Sequence, residues 1–128
     1  MRLFGKKNKE LKLNLYRVTF HIGRGSSVEM PEEWLGAYVT IFASENDHES
    51  ALKRMASDLI QQGYEIKGVE GKIDQLNPYE WDEYISNAWS DFPNFYPKQT
   101  VILDALSGGG VLFYSPYSGY DQPPKSNA

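Results

Sequence analysis

The chain has 128 residues, no cysteine and 41% hydrophobic residues, a length and composition typical of one domain with one core. The missing cysteine excludes disulfides, thiolate zinc sites and cysteine nucleophiles. No apolar run approaches the roughly 20 residues of a membrane span, and the first residues lack the apolar stretch of a signal peptide. We therefore expect a cytoplasmic protein that does not enter a membrane.

The charges are sorted by position. Of the 13 basic and 17 acidic residues, seven bases and one acid lie in residues 1–24, which leaves six bases and sixteen acids for residues 25–128. An acidic body repels nucleic acid and attracts basic partners through its summed field. The charge pattern therefore favours a basic protein partner over a nucleic acid.

Three segments differ in composition. Residues 1–12 are rich in Lys and Asn and predict a flexible basic leader, and residues 121–128 predict a disordered tail of Pro, Ser and Asn. The remaining residues, 13–120, are expected to form a single α+β domain.

Alternating apolar residues predict a half-buried strand over 13–22, and the continuously apolar run 37–43 predicts a central strand. Residues 64–73 also alternate, but the apolar phase slips at Gly68, which indicates a β-bulge there. A short strand over 111–114 and turns over 115–120 complete the β-structure.

Helix signals are stronger than strand signals. Asn46, followed three residues later by Glu49, predicts the cap of a helix over 47–62. Asn77 and Pro78 predict the cap and first residue of a second helix, over 78–91. Residues 99–106 allow a strand or a short helix, and we favour the helix because Gly108–Gly110 supply a helix stop.

Taken together, these elements follow the order ββαβααβ. This order predicts an α+β fold with a mainly antiparallel sheet and helices packed on one of its faces.

Two histidines and one glycine run are the candidates for a chemical site. Neither His21 nor His48 has a second ligand at a spacing that directs both to one metal, so both are expected on the surface. The glycines at 108–110 follow a helix instead of preceding one, which disfavours a phosphate-binding loop. We therefore expect no metal, no cofactor and no catalytic residue.

Acidic residues are densest near the second helix, where loop aromatics follow them. Steering charges around a partly apolar anchor are typical of protein-binding surfaces. Glu29, Glu32 and Glu33 form the second candidate face. The residues predicted to bind a partner are Asp74, Glu80, Asp82, Glu83, Asp91, Phe95 and Tyr96.

The stretch from Gly36–Val39 through Leu76–Trp81 to Gly109–Val111 resembles small immunity proteins of bacterial polymorphic-toxin and contact-dependent-inhibition systems. The resemblance implies a cytosolic inhibitor, not an enzyme, that binds and neutralises a cognate toxin domain, often a basic nuclease. It assigns no function to individual residues.

Two alternatives stay open. One is a small-ligand-binding protein or enzyme with an aromatic pocket lined by Trp81, Trp89, Tyr114 and Tyr117, between the second helix and the C-terminal turns. The other is a structural or regulatory module that forms a homo-oligomer, specifically a homodimer, through a sheet edge.

Overall fold

A computed structural model of the chain describes residues 10–123. It confirms the α+β class and the order ββαβααβ, with one further short strand at the end. The strands are β1 Asn14–Gly23, β2 Gly36–Glu45, β3 Glu65–Leu76, β4 Leu112–Tyr114 and β5 Ser118–Tyr120. The helices are α1 His48–Gln61, α2 Trp81–Ala88 and α3 Gln99–Leu106, and a 3-10 turn, Pro78–Glu80, precedes α2.

The five strands form one antiparallel sheet. β1 lies between β3 and β2, and both β4 and β5 pair with the other edge of β2. β1 and β2 pair without interruption from Asn14 opposite Glu45 to Ile22 opposite Ala37. β2 is therefore the central, largely buried strand that its apolar sequence predicts.

β3 is irregular where the sequence changes phase. Its pairing with β1 shifts between His21 and Ile22, which lie opposite Gly68 and Ile66, so the bulge predicted at Gly68 is confirmed. A second shift lies between Arg17 and Thr19. The two shifts turn Ile66 and Ile73 toward one core cluster, but Val69 stays 43% exposed.

The helices cover both faces of the sheet, so the expectation that they all pack on one face is wrong. α1 packs its residues Ala51, Met55 and Leu59 against the face that carries Val18 and Phe20. Trp81 of α2 and Ile102 of α3 pack with Leu15 and Phe42, whose positions in β1 and β2 place them on the opposite face. We call these the α1 face and the α2–α3 face.

Three element boundaries also differ from expectation. The side chain of Asp47, not of Asn46, caps α1, because its Oδ1 accepts the Ser50 N–H at 2.8 Å. Asn77 caps the 3-10 turn as predicted, but α2 ends at Ala88, not at 91. Residues 118–120, expected as turns, instead form β5 along the free edge of β2.

The last residues of the predicted basic leader contact the domain. Residues 1–9 and 124–128 of the predicted leader and tail lie outside the described residues. At the end of the leader, however, the Lys12 N–H donates to the Leu106 carbonyl at 2.9 Å and Leu11 packs on the α2–α3 face. Within residues 10–123, no helix combines the length and the apolar composition needed to cross a membrane.

Candidate functional site

The acidic candidate surface is positioned by the burial of Trp81. Asn77 accepts the Tyr79 N–H at 3.0 Å and starts the chain turning, and Trp81 then enters the core with 1% exposure. Its ring meets Phe42 edge-to-face at 5.2 Å, and its Nε1 donates to the Pro97 carbonyl at 2.8 Å. With one side of α2 fixed in this way, the acidic side chains are left on its outer surface.

Glu80 and Glu83 lie together on that surface. Both are exposed, and both line a shallow groove of about 390 Å³ beside the end of β3, together with the amides of Gln75, Asn77 and Asn87. No basic residue within 10–123 lies at ion-pair distance from either carboxylate. Two unpaired carboxylates on one helix side leave negative charge available to a cationic partner.

Asp74 and Asp82, also predicted to bind a partner, already have partners within the fold. Asp74 forms an ion pair with Arg17, whose guanidinium also donates to the Tyr84 hydroxyl at 3.0 Å. Oδ1 of Asp82 accepts the N–H of Gln99 at 2.9 Å, and Oε1 of Gln99 accepts the N–H of Asp82 at 3.1 Å. Asp74 therefore ties β3 to β1, and Asp82 joins the start of α2 to the start of α3.

The other three predicted residues follow α2. Asp91 is exposed, and Phe95 is 53% exposed, with its ring 6.3 Å from Phe92. Tyr96 lies beneath Phe95, at a ring distance of 4.9 Å, and is itself 8% exposed. The loop prediction for Tyr96 missed this burial because the aromatic contacts that cover the ring come from residues distant in the chain.

The aromatic pocket of the alternative interpretation does not assemble. Trp81 and Trp89 belong to the α2–α3 face, whereas Tyr114 and Tyr117 pack against the α1 face. The sheet separates the two pairs, because β4 joins its edge instead of folding over α2. Trp89 lines a cleft of about 400 Å³ that also contains Asp82 and Lys98, and Tyr117 lines a different cleft.

Sequence reasoning missed a cluster around His21. The His21 ring stacks on Tyr38 at 4.6 Å, and its Nε2 lies 2.6 Å from the Tyr120 hydroxyl. His21 and Tyr38 are neighbours through the β1–β2 register, and Tyr120 joins them through β5. The alternation in β1 predicts only which face of the sheet carries His21. Its contacts with Tyr38 and Tyr120 depend on strand register, which no local pattern predicts.

The remaining candidates from the sequence, His48 and the glycines at 108–110, occupy positions in the fold that indicate no chemical site. His48 is an exposed residue in the first turn of α1, and the glycines at 108–110 end α3 as predicted, with the Gly110 N–H donating to the Ala105 carbonyl at 2.8 Å. Across residues 10–123, no three His, Asp or Glu side chains are grouped so that they could hold a metal ion.

Comparison of the chain with family models, with curated proteins and with solved structures finds no match.

Proposed function

We propose that this protein is an acidic binding protein that uses the outer surface of α2 to bind a basic protein partner. Following the resemblance to immunity proteins, we propose that the partner is a toxin domain in the cytoplasm and that binding neutralises it. In this proposal the protein acts by occupying the toxin, not by catalysis.

The observation that carries the proposal is the difference among the acids near α2. Asp74 and Asp82 are engaged within the fold, whereas Glu80 and Glu83 are exposed and have no basic partner among residues 10–123. Carboxylates held close together repel one another, and a Lys or Arg from a partner relieves that repulsion on binding. Glu80 and Glu83 are therefore the acids expected to steer a basic partner.

The apolar part of the surface is Phe95 with its neighbour Phe92. Exposed aromatic rings in loops are preferred anchors of interfaces, because they bury a large area at a small entropic cost. Tyr96 supports Phe95 from below. In this proposal Phe95 is the anchor, and Tyr96 contributes by holding it in place.

The test is binding to the C-terminal domain of the protein encoded directly upstream, since immunity genes lie next to their toxin genes. Kinetic measurements would compare the double variant Glu80→Lys/Glu83→Lys with the parent chain. We expect the association rate to fall at least about tenfold at low salt, and the difference to shrink near 0.15 M salt, where the screening length is about 8 Å. Phe95→Ala should mainly raise the dissociation rate.

A matched control is Glu32→Lys/Glu33→Lys, two exposed acids on the second candidate face. Each double change raises the formal net charge from −4 to 0, because each substitution adds two positive charges. If both double variants slow association equally, net charge alone steers the partner, and a site on α2 is refuted. A larger effect of the control pair would place the interface beside Glu32 and Glu33 instead.

A further inference from the structure

A second cleft, of about 710 Å³, opens beside the core of the α1 face. Its lining comes from the loop between β1 and β2, the end of α1, and the turn between β4 and β5. The residues that matter for its chemistry are Glu29, Met30, Trp34, Tyr64 and Tyr117. This size, with a mainly apolar lining and few polar groups, is typical of small-molecule sites.

The aromatic walls of this cleft are held in place. Tyr64 is 7% exposed and lies 5.8 Å from Tyr117, and Tyr117 stacks on Tyr114 at 6.2 Å. Trp34 packs against Gly119, where a Cβ would lie within 2.2 Å of three indole atoms. Gly119 therefore covers part of the indole, and Trp34 lines the cleft with a side chain that no other aromatic ring contacts within residues 10–123.

The lining of the cleft carries one negative charge. Glu29 is the one charged residue among those that line it. Burial raises the pKa of the Tyr117 phenol, as do its hydrogen bond to Tyr64 and the carboxylates of Asp58 and Glu29. Both carboxylates therefore act electrostatically on the ring that forms one wall of the cleft.

The nearby base, Arg24, is turned toward the backbone. Its guanidinium donates to the carbonyls of Pro31 at 2.6 Å and Trp34 at 3.3 Å, and also to the Met30 carbonyl. These bonds fix the loop that carries Trp34, and they hold the guanidinium of Arg24 outside the lining of the cleft. The cleft is thus pre-formed and aromatic, and Glu29 is the charged residue of its lining.

We propose that this cleft binds a small organic cation that carries an alkylated ammonium group. Aromatic faces attract such a cation through their quadrupoles, and the methyl groups of the ligand pack on the same rings. Glu29 supplies the counter-charge at the rim. An anion would meet the Glu29 carboxylate, and a neutral apolar ligand would gain nothing from it.

The direct test titrates the full chain with choline and, separately, with its neutral isostere 3,3-dimethyl-1-butanol. Binding would be followed by NMR through the indole N–H of Trp34, assigned with the Trp34→Phe variant. We expect choline to bind at least about tenfold more tightly than the isostere, since a desolvated cation–π contact and a carboxylate both act on charge. Equal affinities, or no shift of the Trp34 signal with either ligand, would overturn the proposal.

Two variants examine the site itself. Glu29→Gln, at an exposed position, should weaken choline binding roughly 1.5- to 5-fold, as expected for an exposed ion pair, and Glu32→Gln, a nearby acid that does not line the cleft, should leave it unchanged. Trp34→Ala should abolish the binding, and if that variant fails to fold, Glu29→Gln decides the question. An unchanged affinity in Glu29→Gln would refute the role of charge.

This proposal is independent of the partner surface on α2. Glu80→Lys/Glu83→Lys should leave choline affinity unchanged, because Glu80 and Glu83 line a different groove. If that variant loses choline binding, charge far from the cleft controls the affinity. This result would also contradict the proposed binding site.

Discussion

The two faces of the sheet are built by different means. On the α1 face one helix of 14 residues lies over the long strands, and Ala51, Met55 and Leu59 are fully buried at successive turns. On the α2–α3 face two helices of eight residues each cover the sheet. The core of this second face depends on large rings, such as Phe42 and Trp81, that meet edge-to-face.

The difference shows how helix length changes what a core needs. A long amphipathic helix fills a sheet face from its own periodic side chains. Short helices leave gaps, which here are filled by aromatic rings and closed by specific hydrogen bonds, as between Trp81 and Pro97 and between Asp82 and Gln99. The second face is also where the chain exposes Glu80, Glu83 and Phe95, so the proposed partner surface lies on the less regular half of the domain.

The largest expected effect comes from removing the central ring of the α2–α3 face. Trp81→Ala should lower the free energy of unfolding by about 3–5 kcal/mol, and Leu59→Ala, on the α1 face, by about 2–5 kcal/mol. Urea denaturation measures both losses. Native-state hydrogen exchange should then show faster exchange in α2 and α3 for Trp81→Ala, but in α1 for Leu59→Ala. The same exchange pattern in both variants would contradict two separately packed faces.

Tyr96→Phe is expected to change the free energy of unfolding by less than the two core variants and to raise it instead of lowering it. The Tyr96 hydroxyl is buried and has no hydrogen-bond partner within residues 10–123, and burial raises the pKa of this phenol. Because an unsatisfied buried hydroxyl costs about 1–3 kcal/mol, Tyr96→Phe should raise the free energy of unfolding by about 1 kcal/mol.

The matched control for Tyr96 is Tyr84→Phe. The Tyr84 hydroxyl accepts from Arg17 at 3.0 Å and from the Trp89 Nε1 at 3.2 Å, so its removal should be destabilising by about 1 kcal/mol. Both variants would be measured by the same urea denaturation. If Tyr96→Phe is destabilising, as expected for Tyr84→Phe, the Tyr96 hydroxyl has a hydrogen-bond partner in solution.

The smallest effect concerns the cap of α1. The backbone N–H of Ser50 donates to the Asp47 carboxylate and lowers its pKa from the ordinary value of 3.8. A pKa lowered in the folded state stabilises the fold above the unfolded value, and this contribution is lost as the pH falls through the folded value. The melting temperature of the parent chain, relative to Asp47→Asn, should therefore decline below about pH 4. A difference that stays constant between about pH 7 and pH 2 would contradict the charged cap.

Much of the fold was predictable because its signals are local. The alternation in β1, the apolar run of β2 and the Asn77–Pro78 start each act within a few residues, and the structure places elements at all three. The cap of α1 was misplaced by one residue because Asn46 and Asp47 are both good caps, and local sequence does not distinguish them. α2 ends at Ala88, and the turn that follows places the rings of Trp89 and Tyr96 5.6 Å apart, a contact that the helical pattern does not predict.

For the candidate site, too, local sequence predicts one part and contacts between distant residues decide the other. The sequence determined that acids are dense near α2 and that aromatic residues follow them. Which acids stay unpaired was decided by partners far along the chain, since Arg17 engages Asp74 and Gln99 engages Asp82.

By itself, then, the sequence determined the type and order of the elements up to β4, because helix caps, apolar periods and glycine stops are properties of neighbouring residues. Only the tertiary structure decided which face each helix covers, that Tyr96 is buried, and that Trp34, Tyr64 and Tyr117 form one cleft. The physical reason is that these outcomes depend on strand register and on the meeting of residues far apart in the chain, such as Trp34 with Tyr64 and Tyr117, 30 and 83 positions away, which no local pattern records.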